Sequence, residues 1–270
     1  MSDGAPDPRD TIAVLGLGEA GSLIATGLAR AGAAVRGYDP KVDAPDDVLG
    51  CASAEQACHG AHLVLSVNSS ADALDALTQG LPGCASGVIW ADLNTAAPQR
   101  KQEVALAAGG QVRVVDVALM SPVPPRGLRT PMTASGDAAP EFAATMGRFG
   151  AVIEVLEGPL GEAATRKLLR SVFYKGLAAA VVEAMSAADA VGLAEWLRDN
   201  IADELVRADR STVERLLVGS QVHAERRTHE MEAAVDLLTG LGVPARVSQA
   251  SRDWLEQLAS ARRGGSEAHG

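Results

Sequence analysis

The sequence predicts an α/β chain with an N-terminal doubly wound, mostly parallel sheet followed by an all-helical second part. Three observations carry this. Over residues 11 to about 156, short apolar β-prone runs alternate with helical stretches. From about Gly161 onward no strand-like alternation remains. Near the start, Gly16-Leu17-Gly18-Glu19-Ala20-Gly21 follows the first apolar run and opens the first helical one, which places a tight turn between a strand and a helix.

Taken in order, residues 12–15 are a buried strand and residues 22–31 a helix with Leu23, Ile24, Leu28 and Ala31 at helical spacing, ended by Gly32. Residues 34–38 form the second strand and deliver Asp39; 40–49 read as a Pro- and Asp-rich loop and 52–61 as a short helix. Further strands are expected at 62–67, 88–93, 112–118, 130–135 and 151–156. Helices are expected up to about Gln79, from Pro98, and over 140–149. The all-helical part divides into segments near 161–192, 194–208, 211–240 and 246–263, with a frayed tail from 261. The expected domains are residues 1–158, of which 1–10 are a disordered tail, and residues 159–270.

Each glycine of the first turn has its own task. Gly16 permits the sharp exit from the strand, Gly18 lets backbone N–H groups approach a pyrophosphate, and Gly21 lets the helix pack against the sheet. With an acidic Asp39 at the tip of the next strand, able to accept from an adenosine ribose, the stretch reads as a dinucleotide-binding βαβ unit of the Rossmann type. A glycine-rich turn that binds no nucleotide is the bland alternative. A 2′-phosphate would meet Asp39 with like-charge repulsion, so NAD is expected over NADP, with Lys41 as a weak counter-signal.

Composition excludes several classes. With 270 residues, 47% hydrophobic and 21% charged, the chain has the make-up of a globular protein with a full core. A net charge of −10 without a basic run argues against a nucleic-acid partner. The most apolar later stretch, 172–196, is broken by Lys175, Glu183 and Asp189, so no membrane span is expected. The first ten residues lack the apolar core of a signal peptide, and Cys51, Cys58 and Cys84 lack paired spacing; the expectation is a cytoplasmic protein. Cys58-His59 with His62 could suggest a metal cluster, but a surface segment between two strands explains the same residues more simply, and no metal is expected.

Ligands of open α/β sheets bind beyond the carboxyl ends of the strands, and polar residues recur there: Asp39, Asn68 after Val67, Asn94-Thr95 and Ser121. Each alone could simply cap a following helix. In the helical part, Lys167, Ser171, Tyr174 and Ala178 fall on one helix face with Lys175 at its margin. Amine, hydroxyl and phenol aligned on an apolar helix suggest a site, although lysines can snorkel and hydroxyls bond back to the helix.

Together these motifs resemble the β-hydroxyacid dehydrogenase family, which includes 3-hydroxyisobutyrate dehydrogenase and is related to 6-phosphogluconate dehydrogenase. The resemblance covers nearly the whole chain. Asp92-Leu93-Asn94-Thr95 with Pro98 is similar to the family's D-x-S-T-x-x-P element, and residues 116–122 stand where D-A-P-V-S-G-G is expected, with Met120-Ser121-Pro122 in place of S-G-G. Lys167 falls on the catalytic lysine and Ser171 on its asparagine partner, while His229-Glu230 replaces the family's Lys-Asp near the nicotinamide.

The resemblance implies a hydride-transferring oxidoreductase acting on a small, anionic hydroxy acid or carbonyl compound, with Lys167 as general acid/base and Ser171 orienting. It also implies cofactor contacts from Gly16, Leu17, Gly18, Glu19, Ala20, Gly21, Asp39, Val67, Asn68, Thr95 and His229. Substrate contacts are implied for Thr95, Met120, Ser121, Pro122, Tyr174 and Lys175, with Arg126 and Arg129 as further anion candidates. Two other readings stay open: an imine reductase on the same fold, against which Lys167 counts, and a non-catalytic nucleotide-binding module. Leu168, Val172, Leu177, Val181 and Val182 offer more apolar surface than a thin helical layer covers, so a homodimer through the helical part is expected, with Arg226, Arg227 and His229 near an active site.

Overall fold

The structure is a computed structural model that describes residues 11–267, the last four by backbone alone. The tail expected over residues 1–10 lies outside the described residues. The chain divides into two compact units, the first ending at Arg170 and the second beginning at Ser171.

The first unit is built on an eight-stranded sheet. Its strands are β1 (Thr11–Leu15), β2 (Ala34–Tyr38), β3 (Leu49–Gly50), β4 (Leu63–Ser66), β5 (Ile89–Asp92), β6 (Arg113–Leu119), β7 (Met132–Ser135) and β8 (Ile153–Val155). Their order is β3-β2-β1-β4-β5-β6-β7-β8, and neighbours run parallel except for the antiparallel pair β6 and β7. The helices of this unit are α1 (Glu19–Arg30), α2 (Ala54–Cys58), α3 (Ala73–Gly80), α4 (Pro98–Ala107) and α5 (Ala139–Gly147).

Alternation along the strands feeds two separate cores. Ile12 and Val14 of β1 join Leu28 of α1 and Phe142 of α5 in one cluster, while Ala13 and Leu15 join Leu77 of α3, Trp90 and Val104 of α4 in another. A sheet covered on both faces in this way has ligand access mainly at its edges and ends. The chain leaves β1 toward β2 on one side and returns to β4 on the other, so a crevice opens at the carboxyl ends of β1 and β4.

The second unit is helical. It takes in most of α6 (Glu162–Ala190), which starts in the first unit, with α7 (Ala194–Arg207), α8 (Arg210–Val222), α9 (Ala224–Gly240) and α10 (Arg246–Glu267). Ala187 of α6 packs with Val235 and Leu238 of α9 and with Ala245. Glu183 caps α10, its carboxylate accepting from the N–H groups of Val247 and Ser248 at 2.7 and 2.8 Å. In contrast, neither α7 nor α8 has a buried residue, and Trp196, Val206 and Leu217 are 61%, 86% and 57% exposed.

Two expectations need correction here. The single helix expected over 211–240 is two helices, because His223, at φ −112° and ψ 23°, leaves helical geometry. No glycine or proline marks that break. Of the frayed end expected from 261, residues 261–267 are helical, since α10 runs to Glu267, and 268–270 lie outside the described residues.

Candidate functional site

The turn from β1 into α1 is as tight as its glycines allow. Gly16 has φ +95°, and a Cβ there would lie 2.4 Å from the Val67 carbonyl oxygen and 2.6 Å from Asn68 Oδ1. A Cβ on Gly21 would lie 1.9 Å from the Gly16 carbonyl oxygen. Around Gly18 the situation reverses, with no atom within 4 Å of its would-be Cβ. Gly18 is also the N-cap of α1 and has no side chain to offer the first-turn N–H groups. The bare end of α1 therefore fronts open space.

That space is a cleft of about 520 Å³ bounded by the glycine turn, the end of β2 and the start of α3. Of the residues expected to hold a cofactor, Gly16, Gly18, Glu19, Ala20, Gly21, Asp39, Val67 and Asn68 all line it. Leu17 does not, because its side chain is buried in the core at 1% exposure. Its N–H instead donates to Asp39 Oδ2 at 2.8 Å, while Asp39 Oδ1 accepts from Lys41 and Val42 N–H at 2.8 and 3.2 Å. The aspartate thus pins the glycine turn as well as edging the cleft. A carboxylate has about four acceptor positions, so one remains for a ribose hydroxyl. Open space over Gly18, bare N–H groups and this carboxylate fit a dinucleotide.

Asn68 and Asn94 are not helix caps. The helices after them are capped at Asp72 and Ala97, neither with a side-chain bond. Both amides instead donate to Ser66 Oγ at 3.1 Å. Behind Asn94 lies a group that sequence reasoning missed. Lys101 is 1% exposed, and its ammonium donates to the carbonyl oxygens of Asp92 at 2.8 Å and Asn94 at 2.7 Å. It also lies 3.3 Å from carboxylate oxygens of both Asp92 and Asp116. Burial pushes the Asp92 carboxyl up, against the pull of Lys101 in the other direction.

Thr95, next in the chain, is exposed. Met120 packs against Ala118, Leu156 and Ala163 at the foot of α6, Ser121 is half-buried and Pro122 exposed. Lys167 sits half-buried on the second turn of α6, within the first unit. Ser171, Tyr174 and Lys175 follow on α6 in the second unit, with Tyr174 52% exposed and edge-on to Phe173, and His229 is on α9. Arg126 and Arg129 are exposed. Cys58 is buried in the core, and among the described residues no group of three or more His, Cys, Asp or Glu is placed to hold a metal ion. No helix among the described residues is long and apolar enough to cross a membrane.

Comparison with known proteins agrees with this geometry. Residues 11–119 match the NAD binding domain of 6-phosphogluconate dehydrogenase. The chain carries a 6-phosphogluconate dehydrogenase-type NAD-binding domain. Residues 188–258, beyond that domain, match a domain of unknown function, DUF1932. An uncharacterised 28.5 kDa protein of Methanothermus fervidus is 30% identical over 143 residues, which is 53% of this chain and 55% of that protein. Among solved structures, a conserved protein of unknown function described as similar to 3-hydroxyacid dehydrogenases is 25% identical. Its TM-score is 0.59, over 94% of this chain and 99% of that one. An imine reductase from a Pseudomonas species shares the fold at TM-score 0.72 and 20% identity, over 94% of each chain. Both likenesses extend past the NAD-binding domain into the helical part.

Proposed function

We propose that this protein is an NAD-dependent oxidoreductase that interconverts a hydroxyl and a carbonyl group on a small anionic substrate, with Lys167 as the general acid/base. The observation that carries the reading is the glycine turn, which leaves the bare N-terminus of α1 facing a cleft edged by Asp39. Backbone N–H groups of Glu19 and Ala20 would hold the pyrophosphate, and Asp39 a ribose hydroxyl. When bound there, the nicotinamide cofactor would supply or accept a hydride. The Lys167 ammonium gives its proton to the carbonyl oxygen in reduction, and the neutral amine takes the hydroxyl proton in oxidation. Thr95 and Ser121 hold the substrate, and Ser171 orients it or Lys167. Tyr174, Lys175 and His229 are assigned to binding by the same family register.

The test is NADH oxidation and NAD reduction against a panel of small hydroxy acids, oxo acids and cyclic imines. Turnover of hydroxy or oxo acids is expected. Turnover of imines alone would replace this reading with an imine reductase, the class of the Pseudomonas enzyme that shares the fold. Tight NADH binding without any turnover would leave a nucleotide-binding module.

The cofactor preference follows from charge. Glu19, Asp39, Asp72 and Asp75 line the cleft against a single lysine, Lys41. A 2′-phosphate would add about two negative charges among these carboxylates. NADH should bind at least about tenfold tighter than NADPH, a difference of roughly 1.4 kcal/mol. Dissociation constants in the opposite order would overturn the preference.

Assembly follows from the second unit. A 13-residue helix such as α8, which touches α9 and α10 but has no buried residue, gains little from packing, and short helices are marginal in water. We propose that a second copy of the chain covers the apolar faces of α7 and α8. Light scattering at micromolar concentration should give twice the chain mass. A monomer there would contradict the proposal.

A further inference from the structure

The buried lysine of α4 is used by none of the chemistry above, yet it sits where several parts of the site meet. We propose that Lys101 is a positioning residue whose ammonium fixes both the β5–α4 turn, carrying Asn94 and Thr95, and the first turn of α6, one turn before Lys167. This positioning role rests on the proton-transfer role given to Lys167 above.

An ammonium has three donors and no acceptor. Two donors go to the carbonyl oxygens of Asp92 and Asn94, which clamps the end of β5 and the turn after it. The remaining direction faces the carboxylates of Asp92 and Asp116, each 3.3 Å away. Asp116 Oδ2 in turn accepts from the N–H of Ala164 at 2.8 Å, and from Ser135 Oγ at 3.3 Å. Ser135 Oγ accepts from the N–H of Ala163 at 3.1 Å. Two first-turn N–H groups of α6 are therefore held by side chains of β6 and β7, and the sheet sets where the helix starts. Lys167 lies about one turn further on.

In the other direction the chain of bonds runs from Asn94 through Ser66 to Asn68, which lines the cofactor cleft and packs on Gly16. One buried cation thus joins the cofactor turn to the helix of the proton donor.

Stability alone is a poor explanation of such a group, since a buried ion pair can often be replaced by apolar residues without loss. The network is also incompletely satisfied: Asp92 Oδ2 and Asn94 Oδ1 are buried without a hydrogen bond. An apolar residue at 101 could fill the space, but it could not hold two carbonyl oxygens and two carboxylates at fixed distances. Small displacements of a reacting group can lower a rate by about a hundredfold, so geometry is what the lysine contributes.

The experiment compares Lys101→Met with the wild-type full-length protein. Hydrogen exchange followed by mass spectrometry on the cofactor-free protein should show at least about tenfold faster exchange over residues 94–96 and 163–165. Exchange in β1 and α1 should be unchanged. With a substrate from the panel, kcat should fall by about ten- to a hundredfold while KM and the NADH dissociation constant stay within about threefold. Unchanged local exchange, or a loss shared between KM and NADH affinity, would overturn the proposal. Should Lys101→Met not fold, Ser135→Ala decides. It removes the acceptor of the Ala163 N–H together with the donor to Asp116 Oδ2 and leaves Lys101 and both carboxylates in place, so exchange should quicken at 163 and kcat fall severalfold, and wild-type values for both would overturn the proposal. The exchange readout needs no substrate, so it stands or falls separately from the assignment of Lys167.

Discussion

Lys167→Ala should lower kcat by about two to four orders of magnitude while leaving the NADH dissociation constant nearly unchanged. A general acid/base acts on the substrate oxygen and not on the dinucleotide, so its removal shows in the chemical step. Lys175 offers the contrast. It lies on the same helix but about 12 Å further along the axis, and only one of the two amines can meet the reacting carbon. Lys167 is half-buried near the start of α6, whereas Lys175 is exposed, the state of a side chain that meets an anionic tail. Lys175→Ala should accordingly raise KM with little change in kcat. Steady-state kinetics of the two variants on one substrate settles the matter, and the reverse pattern would move the proton-transfer role to Lys175.

The βαβ unit at the start of the chain was legible because three local signals coincide there. A short apolar run sets β1, the glycines set the turn, and Asp39 follows β2, so the expected residues 34–38 match β2 as Ala34–Tyr38. The alternation of strands and helices gave the parallel sheet for the same reason. Where only a tertiary partner decides, the sequence was silent. β3 is two exposed residues recruited to the sheet edge by β2, too short for any period to register. Leu17 stands inside the glycine motif, yet its side chain serves the core, because the turn that frees Gly18 points its neighbour inward.

Lys101 is the most instructive omission. In Pro98-Gln99-Arg100-Lys101-Gln102-Glu103 it reads as one more charge on a solvated helix. A signal was present: Lys101, Val104 and Ala108 share helical spacing, and Val104 and Ala108 are both buried. A cation in line with the buried stripe of a short helix must find anions, and Asp92 ends β5 while Asp116 sits in the middle of β6, each beside buried apolar residues. The pairing itself follows from β5 and β6 being neighbours, which no local pattern states.

Gly21→Ala and Gly18→Ala should separate the two tasks that the glycine turn performs. A Cβ at 21 would sit 1.9 Å from the Gly16 carbonyl oxygen and 2.9 Å from its carbon, and both are backbone atoms. Gly16 cannot retreat toward β4, because the Val67 carbonyl oxygen and Asn68 already lie within van der Waals reach of it. Helix α1 must therefore lift from the turn. Overpacking of this kind costs about 1–3 kcal/mol, so Gly21→Ala should melt several degrees lower and lose NADH affinity by at least about a hundredfold as the end of α1 moves. At Gly18 the added methyl meets nothing within 4 Å, and its φ of −61° suits any residue. Gly18→Ala should melt like the wild type, yet bind NADH at least about tenfold more weakly, because the methyl would occupy the space through which the pyrophosphate reaches the bare N–H groups of α1. Thermal melts and NADH titrations of both variants provide the check. Wild-type melting of Gly21→Ala would mean that α1 and the turn are not in close contact. Wild-type NADH binding by Gly18→Ala would mean that the pyrophosphate lies elsewhere than over the end of α1.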